Sequence, residues 1–248
     1  MSKGLTKRLM HLLGKAVHDW RMIENNDRIL VGISGGKDSL ALFHLLVSLK
    51  KKAPVVFELV PAYIDPGFDN SFAKKLDSYI NERYKEAHQG MVVEQTNYGT
   101  FAHSDENKEN PCFLCSRLRR KRLFELAREH GCKKLALGHN KDDLIETLFI
   151  NIFYAGKIGT MKPNQSFFGG RFDIIRPLSY IEKHEINSFA DVCDLPEFVN
   201  ACPSAGYTKR QDVADMLERM YRQNKHIKGN IFRAMGNIAT DYLLEMPC

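Results

Sequence analysis

Residues 34–39 read Ser-Gly-Gly-Lys-Asp-Ser and lie between an apolar run, 29–33, and a stretch of helical period over 38–50. Two adjacent glycines let backbone N–H groups turn inward, and the helix that follows adds the positive end of its dipole. Ser34, Gly35, Gly36, Lys37, Asp38 and Ser39 are therefore candidates to hold a phosphate or a pyrophosphate. Counting spacing narrows the chemistry. A Walker loop needs G-x-x-x-x-G-K-[ST], but from Gly32 the second glycine, Gly36, comes one residue early, and Asp38 follows Lys37. A dinucleotide loop needs G-x-G-x-x-G, which Gly32, Gly35 and Gly36 do not supply.

A second group of residues carries sulfur. Cys112 and Cys115 stand in C-x-x-C spacing at the mouth of a helix expected over 116–130, where a helix N-terminus favours thiolates. Five of the six residues 117–122 are basic: Arg117, Arg119, Arg120, Lys121 and Arg122. A redox dithiol belongs near the opening of a thioredoxin-type fold, whereas this pair follows a third strand and a long loop. A structural zinc needs four ligands, and the chain has no second C-x-x-C and no C-x-x-H. Cys193 follows Ile186, Phe189 and Ala190 at helical spacing and reads as core, Cys132 falls in a helix-to-strand turn, and Cys248 is the last residue. Cys202 is the cysteine in a loop before a basic helix. With Cys112 and Cys115 it makes a three-thiolate set, which in a [4Fe–4S] centre leaves one iron open; zinc and free thiols are the alternatives.

Acidic residues form the third group. Gly138 and His139 end an apolar run, and Asp142 and Asp143 open the next helix. Those carboxylates suit Mg²⁺ ligation, general-base work or helix capping. Asp38 is a further Mg²⁺ candidate.

The elements that must position these groups follow from periodicity. Apolar runs at 29–33, 56–64, 91–95, 134–138 and 172–178 alternate with helical stretches at 38–50, 71–87, 116–130, 141–154 and 182–194. That alternation predicts an α/β fold with a doubly wound, mainly parallel sheet. Segments 97–115 and 156–171 read as loops, the first of the functional kind, and the chain from Tyr207 on reads as one or two helices. The expected organisation is an N-terminal helix (1–25), a central nucleotide domain (26–200) and a helical C-terminal extension (201–248). In parallel sheets ligands bind beyond the carboxyl ends of the strands, where both the 34–39 loop and 138–143 fall.

The 248-residue chain is 44% hydrophobic and carries a net charge of +6. No run of eighteen apolar residues occurs, so no membrane span is expected. The basic, amphipathic start has no cleavage-site pattern and reads as an ordinary first helix, and six cysteines without a signal peptide point to reduced thiols and a cytoplasmic protein.

SGGKDS, CFLCSRLRR, LALGHNKDDLIETLFINIFYAGK, IRPL and NACPS before RQDVADML occur in the order of the tRNA 2-thiocytidine synthetases. The chain resembles that family of PP-loop ATP pyrophosphatases over residues 18–240. The resemblance implies ATP-dependent thiolation of a tRNA cytidine in the anticodon loop, with release of AMP and pyrophosphate. It also implies a [4Fe–4S] cluster on Cys112, Cys115 and Cys202, acting as sulfur carrier and Lewis acid. ATP would lie on residues 34–39, Gly138 and His139, with the backbone of Ile64 at the adenine and Mg²⁺ neutralising the phosphates. Lys37, Asp142, Asp143 and Cys202 become the catalytic candidates. Arg117, Arg119, Arg120, Lys121, Arg122, Lys209 and Arg210 become RNA contacts, for which a solvated helix face is the alternative. A sulfur donor, either a cysteine desulfurase or sulfide, is implied as partner, and a homodimer by resemblance alone. Two departures bear on the nucleoside: Val199 replaces a cysteine common in the family, and YIDPGFDN is shorter than usual. Rival readings are a lysidine or 2-thiouridine synthetase of the same superfamily, and an RNA-binding Fe–S or redox sensor with a vestigial ATP site.

Overall fold

The computed structural model describes residues 2–198, 202–204 and 209–244. Val199, Tyr207 and Cys248 lie outside them. In chain order the elements are α1 (Ser2–Asp19), β1 (Asp27–Gly32), α2 (Lys37–Lys50), β2 (Phe57–Asp65), α3 (Asn70–Tyr84), β3 (Val92–Gln95), α4 (Tyr98–Ala102), α5 (Pro111–Glu129), β4 (Lys134–Ala136), α6 (Lys141–Ala155), β5 (Asn164–Phe167), β6 (Phe172–Ile175), α7 (Lys183–Val192), α8 (Lys209–Gln223), α9 (Ile227–Ala234) and a 3₁₀ turn, Thr240–Tyr242.

Two compact units divide the chain: residues 1–140 with 162–205, and residues 141–161 with 206–248. In this division α1 belongs to the first unit and α6 joins the C-terminal helices. Hydrophobic burial explains both placements. Leu9, Leu13 and Ala16 of α1 enter the main core of the first unit, and Ile145 of α6 clusters with Val213 and Leu217 of α8.

In the first unit six strands run in the order β3-β2-β1-β4-β6-β5. The first five of these pair in parallel, and β5 is an antiparallel edge on β6. The two faces of the sheet separate by the period-two rule: Ile29 and Val31 of β1 join the core with α1, α2 and α7, whereas Leu30 joins the one with Leu126 and Ala127 of α5. From β1 the sheet grows through β2 and β3 on one side and through β4 and β6 on the other. Its switch point, the crevice where ligands of such sheets bind, therefore lies between the carboxyl ends of β1 and β4.

Three local features differ from the sequence reading. Segment 97–115 is not one loop: it holds α4, and α5 begins at Pro111, with Asn110 accepting a capping bond from the Phe113 N–H at 3.2 Å. Proline at the first helical position and asparagine before it are start signals that the helical-period criterion passed over. Segment 156–171 contains β5, joined to β6 by a turn in which Phe168, Gly169 and Gly170 all have positive φ. Asn164-Gln165-Ser166-Phe167 is polar and short, so only pairing with β6 makes it a strand.

Candidate functional site

The loop after β1 is shaped from within. Ser39, 5% exposed, accepts from the Ser34 N–H at 3.0 Å and from the Ser34 hydroxyl at 3.0 Å, and its own hydroxyl donates to the Gly36 carbonyl at 2.9 Å. Gly35 adopts φ +82, and a Cβ there would stand 2.6 Å from Phe72 Cζ and 3.1 Å from Phe198 Cβ. Gly36 caps α2 in an extended conformation, and among the described residues no side chain caps the helix. The first-turn N–H groups of a helix have no intrahelical partners, so an uncapped start at the switch point presents donors and a positive dipole end to an anion.

Lys37 points back into the first unit, 3.2 Å from Asp191 and 3.8 Å from Glu197. Sequence reasoning missed both carboxylates, because they lie about 150 residues downstream with no local signal. Gly138 follows β4 and approaches the loop: a Cβ on it would lie 3.1 Å from Asp38 C and from Ser39 N. Next to it Asn140, 1% exposed, donates to the Asp38 carboxylate at 3.4 Å. Gly138, His139 and Asn140 thus accompany residues 34–39 at one edge. Ile64 is the penultimate residue of β2, buried, with Glu94 beside it in β3. The following Asp65, 1% exposed, takes the Gly67 N–H on Oδ1 at 2.8 Å and leaves Oδ2 buried without a partner among the described residues.

The cysteines lie in the same unit. Cys112 and Cys115 fall in the first turns of α5, Cys112 exposed and Cys115 half-buried, and Cys202 is half-buried in its loop. All three are free thiols. Burial pushes the Cys115 thiol up; Arg119 opposes the shift, and Cys202 and Cys112 add to it. Cys115 is thus near enough to feel both other sulfurs. Among the described residues no three His, Cys, Asp or Glu side chains gather as ligands of a single metal ion. A cluster takes each thiolate on a different iron, so its ligands stand wider apart than those of one ion, and this donor set fits a cluster. The loop of Cys202 is held by His103, a residue the sequence reading passed over. Its Nδ1 lies 2.8 Å from the Gly99 carbonyl, which can only accept, so the neutral ring carries its proton there; Nε2 then accepts from the Ser204 hydroxyl at 2.7 Å. Cys132 is 4% exposed, with its pKa pushed up to about 11 by burial, and Cys193 packs against the main core.

The basic residues of α5 divide by partner. Arg117 bonds Glu109 at 2.9 Å and stacks on Phe113, and Lys121 stands 3.9 Å from Glu125. Arg122 meets Glu94 at 2.9 Å, Glu129 at 2.7 Å and Glu125 at 3.3 Å, which raises its pKa. Arg119 is half-buried, and its charge bears on Cys115 and Tyr63, whereas Arg120 is exposed.

In the second unit Asp142 and Asp143 open α6. Asp142 accepts from Lys228 at 2.8 Å, each side chain 16% exposed. Arg210 bonds Asp143 at 3.2 Å and Glu146 at 3.0 Å. Lys209 places its ammonium 4.5 Å from the Tyr154 ring centroid. Arg210 and Lys228 therefore brace carboxylates within this unit.

The PP-loop domain family matches residues 1–199. A tRNA-cytidine(32) 2-sulfurtransferase of Alkalilimnicola ehrlichii is 38% identical over 98% of this chain and 77% of its own length. One from Geobacter metallireducens is 35% identical over 96% and 93%, and one from Pseudomonas putida 38% over 97% and 87%. Among solved structures, the U34-tRNA thiolase of Methanococcus maripaludis, described with its [4Fe–4S] cluster, superposes with a TM-score of 0.78 at 22% identity. That likeness covers 98% of this chain and 81% of the thiolase, and it bears on the fold. The mainly parallel sheet, the loop at its switch point and these relatives together place the chain in the PP-loop family, as a member of its tRNA 2-thiocytidine synthetase branch and hence an ATP-dependent transferase.

Proposed function

We propose that the chain replaces the C2 oxygen of a tRNA cytidine, at position 32 by the names of its relatives, with sulfur after adenylating it with ATP. The observation that carries this reading is the uncapped start of α2, locked into shape by Ser39 at the switch point of the sheet. ATP lies with its phosphates on residues 34–39, Mg²⁺ is held by Asp38, and the Ile64 backbone is at the adenine.

The C2 oxygen of the cytosine attacks the α-phosphorus, the bond to the β-phosphate oxygen breaks, and pyrophosphate departs with its charge met by loop N–H groups and Lys37. To act there, Lys37 exchanges Asp191 for phosphate. The base now carries AMP, a far better leaving group than oxide. Hydrosulfide adds at C2, its proton passes to Asp142 or Asp143, the C2–O bond breaks and AMP leaves; sulfur that a cysteine desulfurase supplies as a persulfide reaches this level only after two-electron reduction by a thiol. Cys112, Cys115 and Cys202 would hold a [4Fe–4S] cluster, which when bound supplies a Lewis-acidic iron that these three thiolates leave unligated. The chain's own part in that site is to hold the Cys202 loop, through His103 and Ser204, beside α5. RNA phosphates fall to the basic groups of α5 and α8, chiefly Arg120 and Lys209, since Arg117, Lys121, Arg122 and Arg210 meet carboxylates.

The test is anaerobic purification with iron and sulfide analysis, followed by incubation with unmodified tRNA, ATP, Mg²⁺ and sulfide. AMP, pyrophosphate and 2-thiocytidine are the expected products, and Cys202→Ala loses the cluster and the thiolation. A colourless, zinc-loaded protein that still thiolates tRNA sinks the cluster, and 2-thiouridine as product reassigns the nucleoside. No tRNA-dependent AMP release at all would leave the redox-sensor reading standing.

A further inference from the structure

Arg176 follows the last residue of β6 and is 5% exposed. Its Nη1 donates to the Lys162 carbonyl, and its Nε–H is buried without a partner among the described residues. Among the described residues no carboxylate offsets its charge; the charged group that bears on it is another cation, Arg120. The neighbour of Arg120, Arg119, likewise buries an Nε with no partner among the described residues. Charges taken out of water are normally paired with an opposite charge, and an unpaired one next to a like charge is a costly arrangement. Burial, then Arg120, pushes the Arg176 pKa down to about 10, which still leaves the group charged at neutral pH.

The register of the sheet says where this cation stands. Val31, Ala136 and Ile175 lie side by side across β1, β4 and β6, and the Leu137 N–H donates to the Ile175 carbonyl at 3.0 Å. Gly32, Leu137 and Arg176 therefore leave the sheet at one level. With strands 4.7–4.9 Å apart, the backbone at Arg176 is about 10 Å from Gly32, two residues before the phosphate loop, a distance within the reach of one bound nucleotide. Arginine suits this place because its planar fork takes two phosphoryl oxygens at once.

We propose that Arg176 binds a phosphoryl oxygen of substrate, with Arg120 as the outer cation of the same site. The proposal rests on the reading of this edge as the ATP and RNA site. Its ligand chemistry is a phosphate ester anion, either the α-phosphate of ATP or a backbone phosphate of the RNA. In the ligand-free protein the charge is a liability, and the anion removes it.

The test uses the full chain with Arg176→Met, Arg176→Lys and Arg120→Gln. Affinities are measured by calorimetry for the α,β-methylene analogue of ATP and for unmodified tRNA at fixed salt, with the Tm of each ligand-free protein. Arg176→Met should weaken one of the two ligands by about tenfold or more while its ligand-free Tm stays at or above wild type, and the ligand affected names the source. Arg120→Gln, an exposed change, should weaken the same ligand by about two- to fivefold. Should Arg176→Met fail to fold, Arg176→Lys keeps the charge without the fork and should lose about fivefold. Wild-type affinity for both ligands in the arginine-176 variants overturns the proposal, as does a Tm loss that lysine restores with both affinities intact. Wild-type protein that binds neither ligand sinks the functional reading and this proposal together; binding that is equal in wild type and variants sinks this proposal alone.

Discussion

Ser39→Ala is the sharpest perturbation of the phosphate loop. Its hydroxyl joins the loop at three points, the Ser34 N–H, the Ser34 hydroxyl and the Gly36 carbonyl, at 2.9–3.0 Å, and the residue is 5% exposed. A hydrogen bond of this kind is worth about 1 kcal/mol net, so losing the three, with Ser34 N–H left short of its acceptor, costs about 2–3 kcal/mol. For a chain of this size 1 kcal/mol moves Tm by about 2–4 °C, which gives a fall of about 5–10 °C. Because ATP must then order a loosened loop, its Kd should rise by about 30- to 150-fold, the binding equivalent of the same energy. Thermal unfolding and calorimetric titration with the α,β-methylene analogue read the two effects. Ser34→Ala, at an exposed position, retains the Ser39 bonds to the Ser34 N–H and the Gly36 carbonyl and should cost about 1 kcal/mol. If Ser39→Ala kept the wild-type Tm and the wild-type Kd, the argument that Ser39 builds the cradle would be wrong.

Three further outcomes follow from particular contacts. Asp191→Asn releases Lys37 from an exposed carboxylate 3.2 Å away, a pair worth at most about 1 kcal/mol, so ATP affinity should tighten by up to about fivefold; weaker binding would mean that Asp191 serves the nucleotide directly. Arg122 holds the Glu129 carboxyl below its ordinary 4.5, so the pair stabilises the fold above that pH and the contribution is lost as pH falls through the lowered value. The urea midpoint of Arg122→Gln should therefore lie below wild type at pH 7 and converge with it under acid; a gap that persists unchanged at pH 3 would show the loss to be packing alone. Lys228→Met removes the 2.8 Å partner of Asp142, where both side chains are 16% exposed, and should lower the stability of the second unit by about 1–2 kcal/mol in hydrogen exchange over α6, with Lys228→Arg restoring most of it. Equal protection in all three proteins would mean that the pair is idle.

Much of the molecule could be read from local pattern, for local reasons. The strands β1 and β4 are apolar on both sides because helices cover both faces, and the hexapeptide at 34–39 is legible because its chemistry is built from adjacent backbone N–H groups. Cys112 and Cys115 were equally visible, since one helical turn sets their spacing. Where the sequence reading fell short, the missing partner was distant. The strand β5 exists only against β6, and α6 is assigned to the second unit only by the apolar side chains of α8 and α9 that cluster with it.

The sequence by itself determined the fold class and the family and singled out the candidate phosphate loop and the candidate cysteines, because each rests on residue order within one element or on motifs in series. Only the tertiary structure decided which charges are spent and which are kept. It ties Lys37 to Asp191 and Arg210 to Asp143 and Glu146, holds the Cys202 loop through His103, and leaves Arg176 buried with no carboxylate among the described residues. Pairing of charge depends on through-space distance and on exclusion of water, and neither is set by separation along the chain.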